Sequence, residues 1–304
     1  MMHKLGPFSV RWLTIFALCA VFAVGSAIAA EQTSPMTVIH GDLPPDIAPK
    51  NAYRAELYTL LLEATRPEFG DYRLRSYFAA EAAHRKALLL SSGVQLNIHF
   101  ASPGTPVAAA DVIQIPIDIQ RGLLGYRVCL TTAQNSVPWA AVLDLKTLGS
   151  VRIGQVDSWP DFDIYKFNRL NLLGTPSFDG LFAMLSANRF DCLPLGVDEV
   201  STLYREKKVK YANLRIEETL LIYYEFPTYI YVSAKRPDIA KRLSRGFEII
   251  QKNGQFDRLY EQYIAQDLAA LNLPARRIIC LKSPYSSIAG QCSQQPVLPA
   301  IYRH

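Results

Sequence analysis

Hydrophobic and polar positions follow two periods along this chain. In residues 94–100 apolar and polar side chains alternate, whereas in residues 53–64 apolar side chains recur every three or four positions. The first spacing is typical of a half-buried strand and the second of an amphipathic helix. Segments of the two kinds take turns between residues 36 and 100, which predicts the beginning of an α/β unit.

The predicted elements fall into three groups. The first has strands at 36–40, 72–78 and 94–100 and helices after Asn51 and at 79–90. Extended runs at 113–119 and 123–130 lead to the second, with strands at 151–154, 172–175 and 190–195 and helices at 140–148, 161–170, after Ser177 and at 198–207. The third has a strand at 229–233, a helix from Pro237 that Gly254 ends, and a shorter helix after it. Two α/β series joined by extended crossings predict two lobes, and the tail after Ala270 shows no clear period.

The N-terminal residues form a separate pattern. A short basic region precedes an apolar run over residues 12–24, and small residues follow, with Ala27 and Ala29 at the positions that a signal peptidase requires. Residues 1–29 are therefore predicted to be a cleaved secretory signal peptide, so the mature protein would work outside the cytoplasm. An uncleaved N-terminal anchor is the alternative, although the apolar run is short for a membrane span.

Charge and composition exclude some classes of partner. The formal net charge is +5 over 304 residues, with 32 basic and 27 acidic residues interspersed along the chain. Lys4 and Arg11 leave with the predicted signal peptide, which lowers this charge further. No long basic run marks a nucleic-acid interface, and no strong signal marks a membrane surface. No nucleic-acid partner is expected.

Four cysteines remain after the signal peptide: Cys129, Cys192, Cys280 and Cys292. An exported protein can oxidise them, and four cysteines allow three pairings. Cys280 and Cys292 are close in a loop-like tail, so we predict a disulfide between them. Cys129 and Cys192 lie in apolar, strand-like runs, and they form either a second bridge or two buried thiols.

Three stretches of the chain carry a resemblance to a known family. They are residues 115–127, residues 179–191 (with Asn188 where a Gly is usual), and residues 233–260, which contain Lys-Asn-Gly-Gln-Phe-Asp-Arg-Leu-Tyr at 252–260. In order and spacing they resemble the type II periplasmic solute-binding proteins of family 3, which include amino-acid receptors. The first stretch resembles a divergent subgroup, and the similarity covers about residues 35–268.

The resemblance implies an α/β fold of two lobes with a ligand cleft between them. Lobe 1 would comprise residues 31–115 plus 223–270, lobe 2 residues 116–222, and residues 271–304 would be a C-terminal tail. Hinge closure about the crossings would bury a small polar ligand. The implied protein is a periplasmic monomer without a cofactor, and its partner would be the membrane permease of an ABC-type importer.

In such a fold, loops at strand ends and helix N-termini line the cleft. The predicted ligand-binding residues are Arg85, Ser102, Arg121, Trp159, Asp161, Ser177, Phe178 and Glu199. The family's carboxylate-binding Arg does not carry over, because an insertion rich in Ala and Val occupies residues 107–112. Gly196 stands near the position of the family's amino-group-binding Asp, and Glu199 is the nearest acid. Specificity for α-amino acids therefore does not follow from the resemblance.

Acidic residues crowd one predicted helix start. Asp157, Asp161 and Asp163 surround Trp159, and an aromatic ring beside carboxylates suits a cationic or polyhydroxylated ligand. The alternative is that the acids cap the helix while Trp159 packs beneath it. Arg127 lies in an apolar strand and would need a partner there, for which Asp191 and Glu199 are the candidates. Arg85 is either a surface residue or a ligand contact.

Enzyme motifs are absent from the sequence. It has no nucleophile elbow, HExxH, CxxC, P-loop or GxGxxG pattern. His40, His84 and His99 have no acidic cluster beside them, so no metal site is predicted. The expectation is a binding protein that is not an enzyme. Two other functions stay open on the same fold: a stand-alone sensory or interaction module, and a periplasmic enzyme.

Overall fold

The structure, a computed structural model, describes residue 1 and residues 34–41, 50–77, 82–264 and 268–285. The predicted signal peptide, apart from Met1, lies outside these residues, as does Cys292. None of the helices in the described ranges has the length and hydrophobicity that crossing a bilayer requires.

Strands and helices alternate through most of the described chain. The strands are β1 (Met36–His40), β2 (Tyr72–Ser76), β3 (Ile98–Ala101), β4 (Val112–Ile115), β5 (Tyr126–Thr132), β6 (Arg152–Val156), β7 (Asn171–Thr175), β8 (Leu193–Gly196), β9 (Leu214–Ile216), β10 (Leu220–Tyr223), β11 (Tyr229–Ser233) and β12 (Arg277–Cys280). The helices are α1 (Lys50–Ala64), α2 (Arg66–Phe69), α3 (Ala83–Ser92), α4 (Leu145–Leu148), α5 (Pro160–Phe167), α6 (Phe178–Ser186), α7 (Val200–Lys208), α8 (Pro237–Lys252) and α9 (Gln255–Ile264).

The first sheet has the order β2-β1-β3-β11-β4. Strand β1 runs parallel to β2 and β3, and β11 is antiparallel to β3 and β4. Helix α8 packs beside α1 on this sheet, and its apolar stripe of Ile239, Leu243, Phe247 and Ile250 is fully buried. The helices approach closely at Gly246, where an added Cβ would lie 2.7 Å from the Leu61 carbonyl oxygen.

The second sheet has the order β12-β10-β5-β8. Strand β9 also pairs with β5, at residues 130–132 near its C-terminal end. Strand β5 is buried at every position and pairs antiparallel with β8, β9 and β10. A parallel pair, β6 and β7, is joined to the start of β8 through a bridge between Ile153 and Cys192. The chain passes between the sheets in the segments 116–125 and 224–228, and it returns to the second sheet through β12.

The structure decides whether Cys129 and Cys192 form a disulfide. Cys129 of β5 and Cys192 before β8 form a bridge with a Cα–Cα distance of 5.1 Å, and both side chains are fully buried. The choice between a second bridge and two thiols is thus decided in favour of the bridge. Cys280 is disulfide-bonded as well. Its predicted partner Cys292 lies outside the described residues, so that pairing stays a prediction.

Local signals predicted most elements, with several differences. The strands at 36–40 and 229–233 and helix α8 are confirmed. The helix predicted at 140–148 is instead a 3-10 turn at 139–141 followed by α4, because Asp144 starts a new helix by accepting a hydrogen bond from the Thr147 amide at 2.8 Å. Strands β9, β10 and β12 were not predicted. Their three or four residues are too few for a clear alternation.

Candidate functional site

The two crossings are tied together by the Asp118 carboxylate. Its Oδ1 accepts hydrogen bonds from the amides of Gln120 and Thr228, each at 3.0 Å, and its Oδ2 accepts one from the Gly122 amide. Burial raises the pKa of Asp118 above its ordinary value, although the three amides oppose the rise. A single side chain thus holds both segments that connect the sheets.

Gln120 extends this network toward both sheets. Its Nε2 donates to Asp198 Oδ2 at 3.4 Å, beyond β8, and its Oε1 accepts from the Thr228 hydroxyl at 3.2 Å. The Thr228 hydroxyl also lies 3.3 Å from the hydroxyl of Ser102, which follows β3. The predicted ligand-binding residue Ser102 is therefore placed at the crossings, in a path of hydrogen bonds from the first sheet to the second.

Arg127 forms the centre of a buried charged cluster. Its guanidinium Nη2 lies 2.7 Å from Asp161 Oδ1, and its Nη1 lies 3.9 Å from Glu199 Oε1. Its Nε donates to the Tyr224 hydroxyl at 2.7 Å, and that hydroxyl donates to Asp161. Burial acts to lower the pKa of Arg127, but Asp161 and the other neighbours outweigh it, so the pKa lies well above its ordinary value.

The Arg127 cluster includes one of the acidic residues at the start of α5. Asp161 is the principal partner of Arg127, and Glu199 is a more distant one, whereas Asp191 binds Arg152 instead. The carboxylate of Asp161 is thus neutralised from within the protein. Glu199 keeps a side chain that is 21% exposed, and its Oε1 accepts from the Gly196 amide at 3.1 Å. The sequence named both acids as ligand contacts and Glu199 as a candidate partner of Arg127, but it did not reveal the pairing of Arg127 with Asp161.

Two helix starts bring predicted aromatic residues together. Trp159 immediately precedes α5 and Phe178 begins α6, and their ring centroids are 5.3 Å apart. Phe178 also meets Phe182 edge to face at 5.1 Å. The Ser177 hydroxyl accepts from the Gly180 amide at 3.0 Å, which is the geometry of a helix cap. Trp159 and Phe178 therefore form one half-buried aromatic wall, and the helix start capped by Ser177 lies beside it.

The remaining two predicted residues lie elsewhere. Arg121 has a φ of 52° and pairs with Asp257. Its guanidinium lies 4.6 Å from the ring centroid of Phe256 and 4.7 Å from that of Tyr260, so it attaches the first crossing to α9. Arg85 is exposed on α3, outside the groups described above. In the described part of the chain, no three His, Cys, Asp or Glu side chains are grouped so that they could hold a metal ion.

Replacing Asp191 with asparagine is expected to make stability less dependent on pH. Arg152 donates to the Asp191 carboxylate through its Nη2 at 2.7 Å and its Nε at 3.0 Å. Burial would raise the pKa of Asp191, but these hydrogen bonds outweigh it and lower the pKa. The stabilisation is therefore present above the carboxyl's unfolded pKa and is lost as the pH falls through its lowered folded value.

At pH 7 the Asp191→Asn variant should lose about 1–2 kcal/mol, since Arg152 is half exposed and the charge-assisted bonds are partly screened. Urea unfolding between pH 7 and pH 3 measures the difference from the parent protein, which should shrink below about pH 4. Asp179→Asn is the control, because that side chain is 82% exposed. A difference that stays constant with pH would contradict the assignment.

Comparisons with known proteins identify the fold. No family model matches the chain, and no curated protein matches its sequence. Among solved structures, the GluR0 ligand-binding core in complex with L-glutamate is 11% identical, with a TM-score of 0.51 over 77% of this chain and 99% of that one. A structure from work on glutathione import through GshT and the cystine ABC importer TcyBC of Streptococcus mutans is 12% identical, with a TM-score of 0.50 over 76% of this chain and 95% of that one.

These similarities confirm the fold that the sequence resemblance implied. The chain has the α/β, two-lobed fold of type II periplasmic binding proteins, and it covers nearly the whole length of the two solved structures. An identity of 11–12% marks a divergent chain. Fold alone does not fix a ligand, because unrelated functions share folds.

Proposed function

We propose that this protein captures a small polar solute between its two lobes by hinge closure and delivers it to an ABC-type importer. The observation that carries the proposal is the pairing of the two crossings through Asp118. Two adjacent connections that are bonded to each other form one hinge axis, about which the sheets can move as bodies. The proposed lobes are residues 31–115 plus 223–270 and residues 116–222. The proposed site of action is the periplasm.

The proposed ligand site is formed mainly by predicted residues of the second lobe. The aromatic wall of Trp159 and Phe178 would contact the apolar part of the solute, while Ser177 and the exposed part of Glu199 would contact its polar groups. Ser102 would contribute from the first lobe. Asp161 would act through Arg127 rather than touch the solute. One neighbour was solved with L-glutamate, so amino-acid-like solutes are the first class to test.

A thermal-shift screen of the exported protein is expected to find a solute that raises the melting temperature. A ligand that binds only the folded state stabilises it by about 2.7 kcal/mol at 100 times its Kd. The panel comprises amino acids, short peptides, polyamines, sugars and organic acids. Trp159→Ala should remove the shift, whereas Trp139→Ala should keep it, because that half-buried tryptophan lies in the 3-10 turn at 139–141.

Two further measurements separate solute capture from the alternatives. Small-angle X-ray scattering with a saturating hit should show a smaller radius of gyration, since closure brings the lobes together. Mass spectrometry of the recovered hit should show the same compound, because a binding protein leaves its solute unchanged. A saturating hit without compaction would contradict hinge closure, and a chemically altered hit would favour the enzyme. A panel with no hit would count against solute capture.

A further inference from the structure

The chain after β12 is held firmly on the second lobe. Strand β12 pairs parallel with β10, and the Leu281 amide continues the ladder by donating to the Tyr223 carbonyl at 2.7 Å. The Asn168 side chain then binds the backbone of Lys282 on both sides: its Oδ1 accepts from the amide at 3.0 Å, and its Nδ2 donates to the carbonyl at 2.7 Å. We call residues 281–285 the C-terminal strap.

The strap ends at Tyr285, which contacts both lobes. Its hydroxyl donates to Asp163 Oδ2 at 2.8 Å, in the first turn of α5. Its ring lies against Gly104, in the loop that follows β3 of the first sheet. A Cβ added at Gly104 would lie 2.5 Å from the ring's Cζ, and Gly104 has a φ of +83°. Only glycine gives the ring this close approach at such a backbone angle.

The position of this contact relates it to the proposed ligand site. Gly104 is two residues beyond Ser102, and Asp163 is two residues beyond Asp161. Gly104 therefore lies beside Ser102, which is proposed to meet the solute, and Asp163 lies beside Asp161, which is proposed to act through Arg127. Burial and the Asp163 carboxylate raise the pKa of Tyr285 to about 12, so its hydroxyl remains a donor throughout the neutral range.

We propose that the C-terminal strap is a built-in tether between the lobes, with Tyr285 limiting how far the hinge opens when no solute is bound. This inference rests on the hinge motion proposed above. The strap is anchored on the second lobe, so the contact of Tyr285 with Gly104 has to separate when the first lobe swings away. Opening beyond the reach of the tyrosine ring costs that contact, which favours a closed or nearly closed unliganded protein.

The test measures the distance between the lobes in the ligand-free protein. Thr59 of α1 and Lys208 of α7 are both exposed, so each can be replaced with cysteine and labelled with a nitroxide. Pulsed electron paramagnetic resonance then reports the distance between the two labels. Tyr285→Ala is expected to shift the distribution to longer distances, and Tyr285→Phe to shift it less, because the ring contact with Gly104 remains. Unchanged distributions in both variants would overturn the proposal.

A matched control is available within the first lobe. Tyr263 donates to Glu56 Oε2 at 2.5 Å, so it makes the same kind of tyrosine–carboxylate bond between α9 and α1. Tyr263→Ala should leave the distances as they are in the parent protein. If it shifts them as much as Tyr285→Ala does, the effect is general loosening and the tether is refuted. The readout uses no ligand, so it stands even if the solute screen fails.

Gly104→Ala tests the contact from the first lobe. The added methyl group would collide with the Tyr285 ring and displace it, so this variant should also lengthen the distances. In the Tyr285→Ala background the ring is gone, and Gly104→Ala should then add little. Equal shifts in the two backgrounds would show that the substitution acts through backbone strain alone, which would contradict the proposed contact.

Discussion

Replacing Arg127 with methionine is expected to lower the free energy of unfolding by roughly 3–5 kcal/mol. The Arg127 side chain is 5% exposed and that of its partner Asp161 is 8% exposed. Methionine fills much of the volume but leaves the Asp161 carboxylate buried without its countercharge. Removing one member of a buried ion pair costs more than the pair contributes, because the remaining charge is poorly solvated.

Urea denaturation at pH 7 measures this loss. Adding Asp161→Asn to the Arg127→Met variant should recover part of the stability, because the stranded charge is then removed. Arg245→Met is the control. Its ion pair with Glu68 has side chains that are each 44% exposed, so solvent screens the pair and the loss should be much smaller than that of Arg127→Met. Equal losses in the two single variants would refute the role assigned to the buried cluster.

Removing the disulfide between Cys129 and Cys192 is expected to cost about 4 kcal/mol. The cysteines are 63 residues apart in the chain, and a cross-link over a loop of that length restricts the unfolded state by about this amount. A Cys129→Ala, Cys192→Ala double variant avoids leaving a lone thiol. Its urea midpoint should fall, and its m-value should rise, because an unfolded chain without the link is more expanded.

Reductant gives a second measure of the same bridge. Both sulfurs are fully buried, so dithiothreitol should reduce this bond slowly unless urea first opens the second sheet. Cys280 is in another disulfide, which the reductant would also break. The effect of reductant on the double variant therefore measures how much that other disulfide contributes to stability. If the double variant is as stable as the parent protein under oxidising conditions, the bridge does not carry the stability assigned to it.

The buried charged cluster and the two crossings are connected through Tyr224. This residue lies in the second crossing, its hydroxyl binds both Arg127 and Asp161, and its ring meets that of Tyr165 edge to face at 5.6 Å. Its backbone amide donates to the Gly125 carbonyl of the first crossing at 3.2 Å. The charged cluster thus holds the second crossing at Tyr224, and the bond to Gly125 links it to the first crossing.

Local sequence signals determined the elements that depend on nearby residues. Helix α8 was predictable from Pro237 at its start and an apolar stripe along one face, since both act within a few residues. The aromatic and hydroxyl residues at the starts of α5 and α6 were also predictable, because helix caps have local signatures. The order of three weak motifs was enough to indicate the fold.

Partners that are distant in the chain could be decided only by the tertiary structure. Arg242 lies on the buried face of α8, where its charge argues against burial. It is fully buried because Leu62 and Gly70 offer carbonyl oxygens at 3.1 and 2.8 Å. The pairing of Arg127 with Asp161 likewise depends on a partner that is distant in the chain. Periodicity reports which face a residue occupies, but it carries no information on which distant group meets it there.

The C-terminal strap shows this limit most clearly. Residues after Ala270 have no periodic pattern, because β12 spans only four residues and the strap is irregular. What places Tyr285 is the pairing of β12 with β10 and the bond to Asp163, across sequence separations that local signals cannot cover. The sequence by itself determined most of the elements and the class of fold. The tertiary structure decided the ion pairs, the disulfide and the contact of Tyr285 with Gly104, because these depend on distances set only when the sheets assemble.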